Sequence, residues 1–421
     1  MSAIPRASVL APFRVRSFRY QWPADLSTSW AFEMETLILG WYVLVETQSV
    51  LMLTVFASLG YLGTLLAPMF GVTGDRIGHR NLLCGMRAIY AALALLLTTL
   101  AFTNSLNPVL VLVVAGMSGL VRPSDVGMRA ALVGETMPPE RMMGAMSIQR
   151  TTQDSARIAG ALTGAGLVAI LGIGPTYLVV TTLYAVSVML TLKAGAARAS
   201  SHPPAGAVPV APSASPWGDL KSGLGYVWNT PHLLAMMLLA FLLNFTAFPL
   251  VTGLLPYVAR SVYHTDQTGL GYLVAGASFG ALLGSIALSR FGGAMRPARI
   301  MLVFCAGWYS MILVFAHTPS HLAGVAVLVL SGFVQCMGLV SMAALLLRTS
   351  GPQYRGRIMG IRMLALYTNI PGLLIAGELI PRIGYAGTAT IYCAFGIACV
   401  ALIAARWRGE LWRADAPANA R

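Results

Sequence analysis

The residues of this chain that could do chemistry are charges set inside long apolar runs. The run 109–134 holds Arg122, Asp125 and Arg129 at i, i+3 and i+7, and the run 143–171 holds Arg150, Asp154 and Arg157 at i, i+4 and i+7. On a helix each set shares one face. The sets mirror each other: Arg129 and Arg150, Asp125 and Asp154, and Arg122 and Arg157 lie equally far from the turn between Pro139 and Glu140. An antiparallel helical hairpin would bring these like charges to similar depth, in three tiers. Each aspartate can pair with arginines of its own helix, which leaves an excess of two positive charges. Glu33 and Glu35, in the run 24–45, offset that excess if their helix packs beside the hairpin.

Charges in an apolar medium need a partner, a proton or water. Carboxylates so placed can carry protons, which makes Glu33, Glu35, Asp125 and Asp154 the candidates for proton coupling. Guanidiniums can hold an anion or an acceptor-rich group. Arg122 and Arg157 are the first candidates for that contact, with Arg129 and Arg150 behind them. The alternative is a self-neutralised clamp that only braces the helices. Glu33 and Glu35 stand about 200° apart on a helix and cannot share a face. Glu33 sits with Ser29, Trp30, Thr36 and Gly40, the face expected to border a cavity, whereas Glu35 sits with Ala31, Phe32, Ile38 and Leu39. A structural ion pair is the equal alternative for Glu33. Arg87 is expected to reach out to lipid headgroups rather than to touch substrate. Asn244, Gln335 and Asn369 give the later runs an uncharged polar set that could line a cavity or bond helix to helix. His317 and His321 are separated by the helix-breaking Pro319 and have no acid or thiol beside them, so neither a metal site nor a cofactor is expected.

The elements that must position these groups are membrane spans. Of 421 residues, 57% are hydrophobic and 10% charged, too little polar surface to coat globular domains of that length. Twelve runs are long enough to cross a bilayer: 24–45, 49–70, 82–102, 109–134, 143–171 and 175–192, then 232–256, 268–289, 299–317, 321–347, 354–380 and 386–406. The fold class is an all-α polytopic membrane protein. The formal charge of +14 is scattered in ones and twos between these runs, which excludes a nucleic-acid surface and fits positive charge retained in the cytoplasm. Turns carrying Arg76 and Arg80, Arg141, Arg290 and Arg296, and Arg348 mark that face, so both termini are expected there; Arg260 and Arg382 are the exceptions. The five cysteines lie in apolar runs without Cys-x-x-Cys spacing, which argues against a disulfide framework or a zinc site.

The chain divides into a basic, aromatic-rich cytoplasmic segment (1–22), a first half of six spans (23–192), a cytoplasmic linker (193–230), a second half of six (231–406) and a tail (407–421). The linker is rich in Ala, Pro, Ser and Gly until Pro216, and Trp217, Leu220, Leu224, Val227 and Trp228 then recur at helical spacing, as in a helix lying on the membrane. The halves repeat. Ser289-Arg290-Phe291-Gly292 matches Asp75-Arg76-Ile77-Gly78, and Pro352-Gln353-Tyr354-Arg355 matches Pro138-Pro139-Glu140-Arg141, both at an offset of 214 (289 − 75 and 352 − 138).

Between the second and third runs stands a charged turn, Gly71-Val72-Thr73-Gly74-Asp75-Arg76-Ile77-Gly78-His79-Arg80. Its spacing, Gly-x-x-x-Asp-Arg-x-Gly-x-Arg, resembles the loop between helices two and three of the major facilitator superfamily. Phe18-Arg19, Gly40-Trp41, Thr47-x-Ser49, Pro68, Gly223-Leu224-Gly225-Tyr226 with Thr230-Pro231, and Arg355-Gly356-Arg357 resemble its bacterial branch of enterobactin exporters and macrolide efflux pumps. The resemblance implies twelve helices in two six-helix pseudo-repeats, alternating access, and no enzyme activity. It further implies proton-coupled export of a small amphipathic or siderophore-like molecule across a bacterial inner membrane, with lipids and protons as partners and a monomer as working unit. Uptake, or a non-transporting receptor of the same fold, is the alternative. It makes Gly71, Asp75, Arg76, Gly78 and Arg80 a conformational motif whose acid holds one state closed at the start of helix eleven. His79 departs from the arginine usual there, Gly160-Ala161-Leu162-Thr163-Gly164 lacks the exporters' proline, and Arg122-Pro123-Ser124-Asp125 does not reproduce the arginine-glycine motif of proton coupling.

Overall fold

The computed structural model describes residues 11–195, 216–291, 296–351 and 355–414. These residues are helical, without strands, and divide into two compact units. One comprises the described residues up to Tyr42 and from Leu65 to residue 195; the other comprises Val43–Thr64 and the described residues from Pro216 onward.

The first unit is built on α1 (Arg16–Thr47), whose last turn passes into the second unit, with α3 (Ala67–Ile77), α4 (His79–Phe102), α5 (Pro108–Thr136), α6 (Pro139–Leu171) and α7 (Ile173–Lys193). Local chemistry sets the ends. Asn107 caps α5 by accepting from the Val109 N–H at 2.7 Å, and Pro108 supplies a first-turn φ where no donor is needed. Gly172 divides α6 from α7 with φ +81°, a conformation closed to most side chains. α1 seats on α6 through glycines: a Cβ on Gly160 would lie 2.7 Å from Glu33 Cβ and 3.0 Å from the Trp30 carbonyl. Close backbone approach between apolar helices needs such residues, and Trp30 Nε1 fastens the seam by donating to Thr163 at 2.8 Å.

The second unit contains α2 (Val50–Leu59), α8 (Pro216–Trp228), α9 (Pro231–Leu242), which continues through π-helical turns at Leu243–Ala247 and Pro249–Gly253, then α10 (Leu255–Tyr257), α11 (Gln267–Phe291), α12 (Pro297–Ala316), α13 (His321–Thr349), α14 (Arg355–Leu364) and α15 (Asn369–Ala414). Gly384, at φ +75°, breaks α15 into two rods. α8 buries Val227 and leaves Leu224 and Trp228 exposed.

Several sequence expectations change. The stretch 71–80 is not a turn: α3 runs through Ile77, and only Gly78, at φ +87°, breaks the chain before α4. Gly74 lies inside that helix and packs against the His79 ring, 2.9 Å from where a Cβ would stand. The run 49–70 is not one straight span, since Val50–Leu66 and Met69–Ile77 are bent by 59°. Residues 43–64 group with the second unit although the sequence places them in the first half. The cause is close packing: a Cβ on Gly377 would meet Thr54 and Leu51, and one on Gly253 would come 3.2 Å from Ala57. The basic segment 1–22 does not end before a span, because α1 begins at Arg16. Pro12 and Phe18 are buried against the α5–α6 turn, with Val133, Met137 and Ala145. The expected tail is helical to Ala414.

Among the described residues nine helices are long and apolar enough to cross a membrane, ten if the bent pair counts as one span. The twelve runs of the sequence exceed this for two physical reasons. α1 carries Asp25, Glu33 and Glu35 and is too polar to qualify, and the last two runs merge into one helix interrupted at Gly384. Residues 196–215 of the linker, and Gly292 and Pro352–Tyr354 of the repeated turns, lie outside the described residues.

Candidate functional site

α1 presents Asp25, Ser29, Glu33 and Thr36 as one stripe, at i, i+4, i+8 and i+11. Asp25 is the hub at its inner end. Its carboxylate accepts from Arg87 on α4 and, at 3.0 Å, from Gln149 Nε2 on α6; Arg129 Nε on α5 lies 3.8 Å away. Arg87 is fully buried and donates also to Thr191 on α7. Arg129 pairs with Asp125 one turn earlier and donates to Ser29 Oγ at 2.7 Å, while Gln21 donates to its carbonyl at 3.0 Å. Two arginines and two aspartates therefore share one buried, self-neutral cluster. Each such ion costs several kcal/mol to desolvate, offset only when partners are in place.

Further along α1 the charges come nearer to water. Glu33 meets Arg157 Nε at 3.4 Å, and Arg150 Nε meets Asp154 at 3.2 Å; the Arg157 and Arg150 side chains are 47% and 67% exposed. Arg122 Nη2 donates to Thr36 Oγ1 at 3.0 Å, and its guanidinium lies over the Phe32 ring. Glu35 faces away, toward α7, where Tyr184 Oη donates to it at 2.8 Å. A cavity of about 160 Å³ opens between α1, α5 and α6, lined by Asp25, Ser29, Arg129, Gln149, Arg150 and Gln153. Mid-span charges that are exposed require a wet space rather than lipid.

Glu33 and Glu35 match the hairpin's surplus of two positive charges in number, but Glu33 contacts a hairpin arginine whereas Glu35 bonds to Tyr184; Asp25 with Arg87 adds one charge of each sign. Arg87 does not reach headgroups: its position inside α4 aims it at Asp25 and Thr191, where bonded burial replaces snorkelling. Sequence reasoning missed Asp25, although stepping the Ser29-Glu33-Thr36 stripe back one turn lands on it. Gln149 and Tyr184 carried no comparable signal, because polar residues at helix crossings show no spacing of their own.

The motif residues occupy the α3–α4 junction. Asp75 is 75% exposed and 3.5 Å from His79 Nε2, while His79 Nδ1 is 2.6 Å from Glu135 on α5, a partner the sequence did not reveal. Arg80 Nη2 donates to the Leu192 carbonyl at 2.5 Å, satisfying an open acceptor in the last turn of α7. Arg76 is exposed and Gly71 has open space where a side chain would stand. In the second unit Asn369 Nδ2 donates to Asn244 Oδ1 at 2.8 Å, with Asn244 in a π-helical turn. Gln335, half-buried on α13, takes no part in that bond. No group of three His, Cys, Asp or Glu able to hold a metal occurs among the described residues.

Residues 27–368 match the Major Facilitator Superfamily. The chain is 28% identical to the enterobactin exporter EntS of Citrobacter koseri over 214 residues, 50% of each chain, and 28% identical to that of Salmonella typhimurium over 211 residues, 49% of each. It spans about half the length of the curated relatives it matches. Its fold is similar to that of the nucleoside transporter NupG (D323A mutant), with TM-score 0.74 at 13% identity over 92% of this chain and 99% of that one. It is also similar to a bacterial homolog of the human lysosomal transporter Spinster, with TM-score 0.71 at 13% identity over 98% of each. Covering most of the chain and agreeing with its helical architecture, the family match establishes that this protein belongs to the major facilitator superfamily.

Proposed function

We propose that this protein is a multi-pass transporter of a bacterial inner membrane that moves a small amphipathic or siderophore-like molecule by alternating access, coupled to protons. The observation that carries the reading is the charge network: five arginines and five carboxylates on α1, α4, α5 and α6, buried at Asp25 and open to water at Arg150 and Arg157. Apolar residues of similar volume would brace these helices without the desolvation cost. Charges kept near a wet space can exchange protons and partners. Export is supported by the similarity of half of the chain to enterobactin exporters. The arginine distribution supports cytoplasmic termini, and the protein works as a monomer among lipids.

Uptake is the second reading, and the pairing itself favours it. Where each arginine is held by a carboxylate, as Arg150 is by Asp154, protonating the acid frees the arginine for an anion. Proton and anion then bind together, which is the linkage of a symporter. The purified protein in liposomes, with an imposed pH gradient and the metabolites that differ between media of cells with and without it, decides the matter. Movement against the proton flow supports export and movement with it supports uptake. Binding without flux under either gradient defeats both.

A further inference from the structure

Four of the five arginines in the network are held by carboxylates: Arg87 and Arg129 by Asp25, Arg129 also by Asp125, Arg150 by Asp154 and Arg157 by Glu33. Arg122 is different. Among the described residues no carboxylate lies within ion-pair distance of it; it gives one N–H to Thr36 and lies over Phe32. The fifth acid, Glu35, takes its hydrogen bond from Tyr184. The network is therefore neutral in sum, yet one arginine is left without an anion in contact.

The sequence makes Arg122 and Arg157 twins, and α1 breaks the symmetry. Its stripe lays Glu33 against α6, where Arg157 is, and Phe32 with Thr36 against α5, where Arg122 is. One twin is in direct contact with Glu33; the other lies in the field of Glu33 and Glu35 but is contacted by a hydroxyl and an aromatic face. A guanidinium carries five donors in one plane, and Thr36 uses one of them. Thr36 is exposed, so this end of the site is reachable from water, and Val126, one turn along α5, adds exposed apolar surface.

We propose that Arg122 is the anion-recognition residue of this transporter, and that its substrate class is a small organic anion, a carboxylate or sulfonate, whose apolar body packs beside Phe32 and Val126. The proposal rests on the transport reading above but not on its direction. Arg157 is excluded from the primary contact because Glu33 already occupies it.

Thermal unfolding of the purified full chain in detergent, titrated with benzoate, benzenesulfonate and the neutral benzamide, tests the assignment. Both anions should raise the midpoint and benzamide should not. Arg122→Gln should weaken the response to both anions by at least about tenfold, as expected for loss of a charge-assisted bond. Arg122→Lys should keep part of it, which separates lost recognition from lost folding, and Arg413→Gln, at an exposed helix end, should leave it unchanged. An equal response to benzamide, an unaltered response in Arg122→Gln, or an equal or larger loss in Arg157→Gln overturns the proposal. Binding is read without flux, so an anion response that survives while liposomes transport nothing defeats the transport reading and leaves the site standing.

Discussion

Asp25 and Arg87, 62 residues apart on α1 and α4, form an ion pair in which the arginine is fully buried and the aspartate 3% exposed. Removing one partner strands the other in a low-dielectric interior, at a cost of about 3–5 kcal/mol. Arg87→Met should therefore lower the unfolding midpoint sharply. The double variant Asp25→Asn/Arg87→Met should recover much of that loss, since no uncompensated aspartate remains. Denaturation in detergent by circular dichroism measures both; a double variant no better than the single one would show that the pair is not the stabilising contact.

Asp125 and Asp154 each hold an arginine on their own helix, but in unlike surroundings. Asp125 is buried within the Asp25 cluster, whereas the arginine that Asp154 holds is open to water. Asn at either position removes a titratable group and keeps the shape. Both variants should change the pH dependence of transport at normal protein levels, and Asp154→Asn should leave stability closer to the parent. Parental pH profiles in both would reduce the network to a clamp.

Much of this site was legible in the sequence, and the limits are physical. The intrahelical pairs of α5 and α6 follow from i, i+4 spacing, and the separate faces of Glu33 and Glu35 from helical geometry. What spacing cannot give is the rotation of one helix against another. That rotation decides that Arg87 meets Asp25 instead of lipid, that Glu33 contacts Arg157, and that Arg122 contacts Thr36 and Phe32. The same limit hid Glu135 beside His79 and the departure of residues 43–64 from the half that precedes the linker.

Asp75 is 75% exposed and 3.5 Å from His79, so its contribution to folding is small, within about 1 kcal/mol. The role that the family resemblance implies for it, a bias on the conformational equilibrium, is open to test. Asp75→Asn should lower transport without moving the unfolding midpoint, whereas Glu135→Gln, which takes the 2.6 Å contact from His79, should move it more. Transport and two-sided cysteine accessibility both unchanged in Asp75→Asn would leave the motif a helix junction and nothing more.

Orientation is checked at Ser213, in the linker outside the described residues. If arginine retention places that linker in the cytoplasm, a cysteine there should resist impermeant reagents added to intact cells. It should react once the membrane is opened. Labelling from outside would invert the topology.

The seam between α1 and α6 offers a test of whether the stripe on α1 must stay in register. Gly160 has no room for a side chain, because a Cβ would stand 2.7 Å from Glu33 Cβ and 3.0 Å from the Trp30 carbonyl, and backbone cannot yield as a flexible side chain can. Six residues on, Gly166 lies in the same helix with nothing within 4 Å of its Cβ position. Alanine is the better helix former by about 1 kcal/mol. Gly166→Ala should therefore be neutral or slightly stabilising. Gly160→Ala gains the same propensity but forces α1 away from α6, at about 1–3 kcal/mol for overpacking. The displacement acts directly on Glu33, so its contact with Arg157 lengthens. Gly160→Ala should accordingly lower the unfolding midpoint, while Gly166→Ala does not. Equal midpoints for the two variants would mean that α1 can slide without cost, and the register that sets Arg122 apart from Arg157 would then not be fixed by this seam.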